Sequence, residues 1–331
     1  MIPTTYKPKL DYVQTQQAIK LAKDTFEKKL STKLDLLRVS APRFILDTKG
    51  LQDDLAQTQE SVKFHTKFSK KPIEVVHSLA KWKRYTLGKH KFKVGKGIVT
   101  HMDAIRKDED VSPIHSIYVD QWDWERVIGK EQRTIDYLKS TVKQIYQSIK
   151  ETKEELKQSF PQLTHQLPEQ IHFVTTLELE KSYPTLTPKQ REHAIAKELG
   201  AVFIIGIGHK LKSGEPHDVR AADYDDWYLC GDILVYDKVR DKSLELSSMG
   251  IRVDETSLAK QLELSNLEHR KELEYHKSIL EKTMPLTIGG GIGMSRMCMF
   301  LLEKAHIAQV QSSVWPQEVH EEFTKKGVIM L

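Results

Sequence analysis

The sequence predicts an α+β fold, a mixed β-sheet with helices packed on it, and three observations lead there. Long stretches carry apolar residues at steps of three and four. Short runs of branched and aromatic residues lie between them, and the strand-like runs late in the chain follow one another closely enough to be joined by hairpin-like turns. With 331 residues, 39% of them apolar, and no internal repeat or low-complexity linker, the chain reads as one domain over 1–331.

Each element has its own signal. Ile19, Ala22, Phe26 and Leu30 mark an amphipathic helix over Thr15 to Leu30, followed by a strand from Leu36 to Pro42. Ile135, Leu138, Val142, Ile145, Ile149 and Leu156 make a longer stripe, a packing helix between Thr134 and Leu156. Thr187 before Pro188, with Gly200 at the far end, brackets a third helix by cap chemistry, and Ala201 to Gly208 reads as a buried strand. Strands also fit Ile171 to Thr175, Gly231 to Tyr236 and Ser243 to Ser248, while Leu258 to Lys282 is helical with a break near Ser265.

Composition narrows the function. The net charge is +5, yet basic residues are interspersed with acids in stretches such as Lys150 to Lys157, the pattern of solvated helix surface. A small anionic substrate is therefore expected, and nucleic acid is not. Nothing from Met1 to Thr15 resembles a signal peptide and no stretch is long and apolar enough to span a membrane, so the expected location is the cytoplasm. Two cysteines, Cys230 and Cys298, are too few for a disulfide framework or a four-cysteine metal site.

Three segments carry candidate chemistry. In 101–110 Arg106 ends an alternating run and acids follow; its guanidinium suits a phosphate, although the segment alone also reads as a charged surface turn. Thr287 to Arg296 joins a glycine-rich turn to a helix running to about Lys304. It has no Walker lysine and no dinucleotide spacing, and by itself it is a place for close packing or for a bound anion. The third segment is acidic, from His217 through Asp223, Asp225 and Asp232 to Glu245 and Arg252, and two carboxylates on adjacent strands suffice for magnesium on a nucleotide. Two further stretches, His77 to Arg84 and His115 to Glu125, set polar groups in apolar surroundings. Alternation in the second puts Gln121, Asp123 and Glu125 on one face, and Asp120, Trp122 and Trp124 on the other.

Taken in order, the blocks His77 to Arg84, His115 to Glu125, Asp223 to Trp227, Glu245 to Val253 and Gly289 to Arg296 resemble the ammonia-using aspartate-ammonia ligases, asparagine synthetase type A. That family in turn resembles the catalytic core of class II aminoacyl-tRNA synthetases. The resemblance implies an antiparallel β-sheet flanked by helices, a homodimer, and ATP-dependent synthesis of asparagine from L-aspartate and ammonia through a β-aspartyl-adenylate, with AMP and pyrophosphate released. ATP and Mg2+ are the implied nucleotide and metal.

Roles follow by the same resemblance. Helix and strand up to Pro42 look like the dimer-forming motif 1, Arg106 with Asp108 and Glu109 like motif 2, and Gly291 to Arg296 like motif 3. Arg106 and Arg296 would hold the triphosphate, Asp232 and Glu245 magnesium, and Ile233 would lie by the adenosine. Lys83, Gln121, Asp123, Asp225, Ser248 and Arg252 would surround aspartate, with Arg106 and Gln121 also catalytic. Asp53, in a segment without helical or strand periodicity, matches the acid near the attacked carboxyl group. One departure stands out: between Trp227 and Gly231 the family carries a longer loop, and Cys230 stands where it has asparagine.

Overall fold

The computed structural model describes residues 2–57 and 59–331. Asp11 opens α1 (Tyr12–Leu34) with a reciprocal cap: its carboxylate accepts from Gln14 N at 2.8 Å, and Gln14 Oε1 accepts from Asp11 N at 3.3 Å. The helix stops at Asp35, which takes the left-handed conformation. β1 (Leu36–Arg38) follows and is shorter than the run to Pro42 predicts. Only one further backbone bond, Val39 N to Val99 O, extends its ladder before Pro42, which has no N–H to give. A small separate sheet is built from β2 (Phe44–Ile45), β3 (Lys63–Thr66) and β4 (Ser69–Val75) in the order β2-β4-β3.

Then come α2 (Ala80–Lys89), β5 (Gly97–Ile105), β6 (Tyr118–Val127), α3 (Ile135–Ser159), β7 (His172–Thr175), α4 (Thr176–Ser182), α5 (Pro188–Leu199) and β8 (Ala201–Ile205). Both ends of α5 form as its caps predict: Thr187 and Gln190 exchange hydrogen bonds, Pro188 fills the first turn, and Gly200 closes at φ 78°. β9 (Asp225–Asp237), β10 (Lys242–Arg252), α6 (Glu255–Leu264), α7 (Glu274–Leu280), β11 (Thr287–Gly293), α8 (Met294–Leu301) and α9 (Gln317–Lys326) complete the order. The helical stretch after Leu258 breaks at Ser265, as expected.

The main sheet runs β1-β5-β6-β11-β10-β9-β8-β7. Its six central strands are antiparallel neighbours, and the outer pairs β1 with β5 and β7 with β8 are parallel. One face is covered by α1, α3 and α8. Trp122 and Trp124 lie buried there, Trp122 against Phe26 with ring centroids 4.7 Å apart. Burying each such aromatic is worth about 2–3 kcal/mol, so this face holds most of the core. The opposite face meets α2 at one end, where Lys83 and Arg84 reach down to the strands, and α5 at the other, where Ala196 joins Val202, Ile204 and Leu234. The middle of that face stays open as a cavity.

Candidate active site

Side-chain alternation places the chemistry on the open face. Asp123 on β6, Gly291 on β11, Ser248 on β10 and Asp232 on β9 stand opposite one another in one row, and Glu125, Gly289, Gly250 and Cys230 form the next. The glycine-rich segment is thus not a turn, as its composition suggests, but the strand β11, and the helix after it ends at Leu301. Its glycines matter because of what crosses above them. A Cβ on Gly289 would lie 2.0 Å from Glu125 Oε2 and 2.7 Å from Arg252 Nη2, and one on Gly291 would lie 2.6 Å from Gln121 Oε1. β11 therefore gives up side chains so that groups on its two neighbours can meet.

They meet as a buried charge lattice. Arg252 Nε donates to Glu125 Oε1 at 3.0 Å and Nη2 to Oε2 at 2.8 Å, while Nη1 donates to Asp225 Oδ1. Lys83 on α2 donates to Asp123 Oδ1, and to Gly290 O at 3.1 Å. All five side chains are buried. Burial works against the charges and the pairing restores them: the guanidinium lowers the pKa of Glu125, whereas desolvation still raises that of Asp225 and lowers that of Lys83. Three carboxylates against two cations leave one excess negative charge, and Asp123 Oδ2, buried and facing the cavity, has no hydrogen-bond partner among the described residues.

A second shift of phase builds the next wall. Glu245 pairs with Leu234 and Ser247 with Ile233, so β10 carries one residue more than β9 here. Leu244, Leu246, Met249 and Ile251 consequently enter the core, and both Glu245 and Ser248, three positions apart, line the cavity. The cavity, of about 400 Å³, is also lined by Gln121, Asp123, Asp225, Arg252, Asp53, Arg106 and Arg296. Arg106, at the end of β5, has a buried Nε without a partner among the described residues. Arg296, in the first turn of α8, donates to Ile114 O and Glu245 O at 3.3 Å each.

Three of the sequence-predicted residues do not line this cavity. Lys83 sits beneath it, bound to Asp123. Asp232 shares the open face but is covered by Arg220, which donates to both its oxygens; burial and the neighbouring charge of Glu245 raise its pKa to about 7. Ile233 points the other way. Its side chain is fully buried in the main core, away from the cavity on the other face, so it does not lie by a nucleotide there.

Asp53 is a buried loop residue whose Oδ1 accepts from Leu55 N at 2.9 Å, and burial raises its pKa. Behind it lies a network whose pairing the sequence does not reveal, although Asp223 and Lys81 lie in segments it singles out: Asp223 accepts from Lys81 and Arg270 at 3.0 Å each and meets His276 Nε2 at 2.9 Å. These cations hold the Asp223 carboxyl far below its usual range. Arg220 lies in the acidic segment singled out from the sequence, which assigns it no role; its pairing with Asp232 depends on contacts that no local pattern shows. The short segment Trp227 to Gly231 is continuous strand within β9, and Cys230 is buried there with Sγ donating to Ile207 O at 3.1 Å.

A family model described as aspartate-ammonia ligase matches residues 13–327. The chain belongs to the aspartate-ammonia ligase family. It is 54% identical over 332 residues to the aspartate–ammonia ligase of Clostridium tetani (strain Massachusetts / E88), covering 100% of this chain and 97% of that one. It is 53% identical over 323 residues to the enzyme of the same name from Bacillus cereus (strain AH187), covering 98% and 99%. As a member of this family the protein is a ligase. Among solved structures, asparaginyl-tRNA synthetase from Pyrococcus horikoshii complexed with asparaginyl-adenylate matches with TM-score 0.67 at 13% identity, over 91% of this chain and 70% of that chain. The Entamoeba histolytica enzyme, also with asparaginyl-adenylate, gives 0.63 at 14%, over 90% and 66%. At such identities the likeness concerns the fold, which is that of the class II synthetase core.

Proposed function

We propose that this ligase makes asparagine from L-aspartate and ammonia, first joining the aspartate β-carboxylate to AMP from ATP and then letting ammonia displace AMP. The observation that carries this reading is the pairing of a negatively biased, buried floor with two arginines on the walls of one cavity. The free Asp123 Oδ2 suits an α-ammonium group, Gln121, Asp225, Ser248 and Arg252 complete the surroundings of aspartate, and Lys83 acts from beneath through Asp123. Arg106 and Arg296 hold the triphosphate. As a β-carboxylate oxygen bonds to the α-phosphorus and pyrophosphate departs, these fixed cations offset the charge that grows on the phosphate oxygens, and Gln121 keeps the carboxylate in line.

Asp232 and Glu245 would hold a magnesium ion carried on the nucleotide, Asp232 once Arg220 releases its oxygens. Burial works against the charge of Glu245 but Arg296 and Arg220 hold its pKa low, while burial and the charge of Glu245 raise that of Asp232, a repulsion that a divalent cation would relieve. Among the described residues no group of three or more His, Cys, Asp or Glu is arranged to hold a metal, so phosphates and water would have to supply the remaining ligands. Bound there, magnesium would neutralise phosphate charge.

In the second step ammonium gives a proton to Asp53. The freed lone pair attacks the activated carbonyl carbon, the carbon–oxygen bond to phosphate breaks with its electrons leaving on AMP, and the nitrogen gives a further proton to water to become the amide. The raised pKa of Asp53 makes it a better base than a solvated aspartate.

A second copy of the chain is the partner we infer, because Leu37, Phe44 and Leu46 are exposed on one side of the molecule. Sedimentation at micromolar concentration giving only a monomer would exclude it. The two free, buried cysteines and the need for ATP favour the cytoplasm, and no helix among the described residues is long and apolar enough to cross a membrane. The deciding assay is aspartate-dependent exchange of labelled pyrophosphate into ATP without ammonium or tRNA, followed by asparagine and AMP when ammonium is added. Release of ADP instead of AMP overturns the adenylate.

A further inference from the structure

A second cavity, of about 310 Å³, opens behind Asp53, and neither Arg106 nor Arg296 lines it. Among the described residues Asp53 alone lines both cavities. The walls of the second one are acidic. Asp54, Glu60 and Glu74 join Asp47 and Asp53, against Lys63, Lys81 and Arg270; Lys81 is spent on Asp223, Arg270 is shared between Asp223 and Asp54, and Lys63 stands 4.0 Å from Glu74, which leaves the carboxylates in excess.

We propose that this cavity is the entry path for ammonium, which reaches the acyl centre at Asp53 from behind while the main cavity is filled by the aspartyl and AMP groups. The inference rests on the reading of Asp53 as the base for ammonia. Two observations besides the acidic lining support it. His276 lines the cavity with Nε2 against the Asp223 carboxylate, and its Nδ1 is buried with no partner among the described residues. With Nε2 donating, Nδ1 of a neutral ring is a bare acceptor, which an N–H of ammonium can use. Asp53, 3% exposed, commits Oδ1 to the Leu55 amide and forms no hydrogen bond through Oδ2 among the described residues. Acceptors without donors, in a negative field, select a small cation bearing N–H groups. The order of events needs such a path as well: a nucleophile that reacts last cannot enter through a mouth already occupied by its co-substrates.

The path is tested at Glu60 and Ser61, which line the second cavity and not the first. Glu60→Lys should raise KM for ammonium about 5-fold, because removing negative charge from a lined entrance lowers the local cation concentration. Saturated kcat and aspartate-dependent pyrophosphate exchange should stay at the wild-type rate. KM for hydroxylamine, largely uncharged at neutral pH, should not move. Ser61→Trp, which narrows the space, should raise KM for both nucleophiles, with intact exchange showing that the fold holds. Wild-type ammonium KM in Glu60→Lys with exchange intact overturns the path. Failure of the Asp53 reading is distinct, since it is seen as full asparagine formation by Asp53→Asn.

Discussion

Arg252 on β10 grips Glu125 on β6 across a strand that has no side chain between them. The two are two strands apart, and the pair exists only because β11 has glycine at position 289, where a Cβ would stand 2.0 Å from Glu125 Oε2. Gly289→Ala should therefore separate a buried pair rather than merely crowd a strand. Separating it leaves charges unpaired in the interior, at a cost of about 3–5 kcal/mol. Urea midpoints should fall accordingly in Gly289→Ala and in Glu125→Ala, and pyrophosphate exchange should fall in both. An unchanged midpoint in Gly289→Ala would show that the glycine protects something other than this pair.

Arg106 and Arg296 are half-buried on the walls of the cavity and contribute little to the core: Arg106 Nε is without a partner among the described residues, and Arg296 makes long bonds to backbone oxygens. Replacing either with alanine should leave the melting temperature within the range of an ordinary surface change, about 0.5 kcal/mol. Exchange should fall by roughly 10²-fold or more, the usual loss when one donor to a developing charge is removed. Calorimetry beside the exchange assay checks both halves, and normal exchange in either variant removes that arginine from the triphosphate.

Much of this architecture was legible because local patterns are local. The stripes of α1 and α3 and the caps of α5 can be read from neighbouring residues, and alternation alone placed Gln121, Asp123 and Glu125 on one face with Trp122 and Trp124 on the other. What stayed hidden depends on pairing between distant strands. No local rule says that Gly289 lies between Glu125 and Arg252, so a strand read as a glycine-rich turn. The bulge that brings Glu245 and Ser248 into one cavity is invisible until β9 is laid beside β10. Ile233 was placed by resemblance, and alternation sends its side chain to the other face of the sheet.

The buried Asp232 gives a dependence on pH with a definite sign. Its pKa is raised to about 7 by burial and by Glu245, above the value of about 4 for an unfolded aspartate. Between those values the folded chain binds the extra proton, so this residue's contribution is full below about pH 4 and is lost as pH rises to about 7. In the ligand-free protein, Asp232→Asn should therefore gain stability relative to wild type on going from pH 5 to pH 8. Denaturant titrations of the two proteins across that range measure the difference, and a gap that is constant with pH would mean that Arg220 keeps Asp232 ionised throughout.

Asp53 separates the two half-reactions most cleanly. Its carboxylate bonds to the amide of Leu55 through one oxygen, and asparagine can keep that bond, so Asp53→Asn retains the local fold while losing the base. ATP and aspartate are held by Arg106, Arg296, Asp123 and Arg252, none of which is paired with Asp53 in the structure. Pyrophosphate exchange should consequently persist. Asparagine formation at saturating ammonium should fall by about 10²-fold, the factor a positioned general base supplies. The deficit should shrink as pH rises, because free ammonia, which needs no base to expose its lone pair, then becomes the larger fraction. Equal loss in both half-reactions would make Asp53 a positioning residue for the adenylate. A deficit that does not change with pH would remove the proton from its role and leave only its place on the wall.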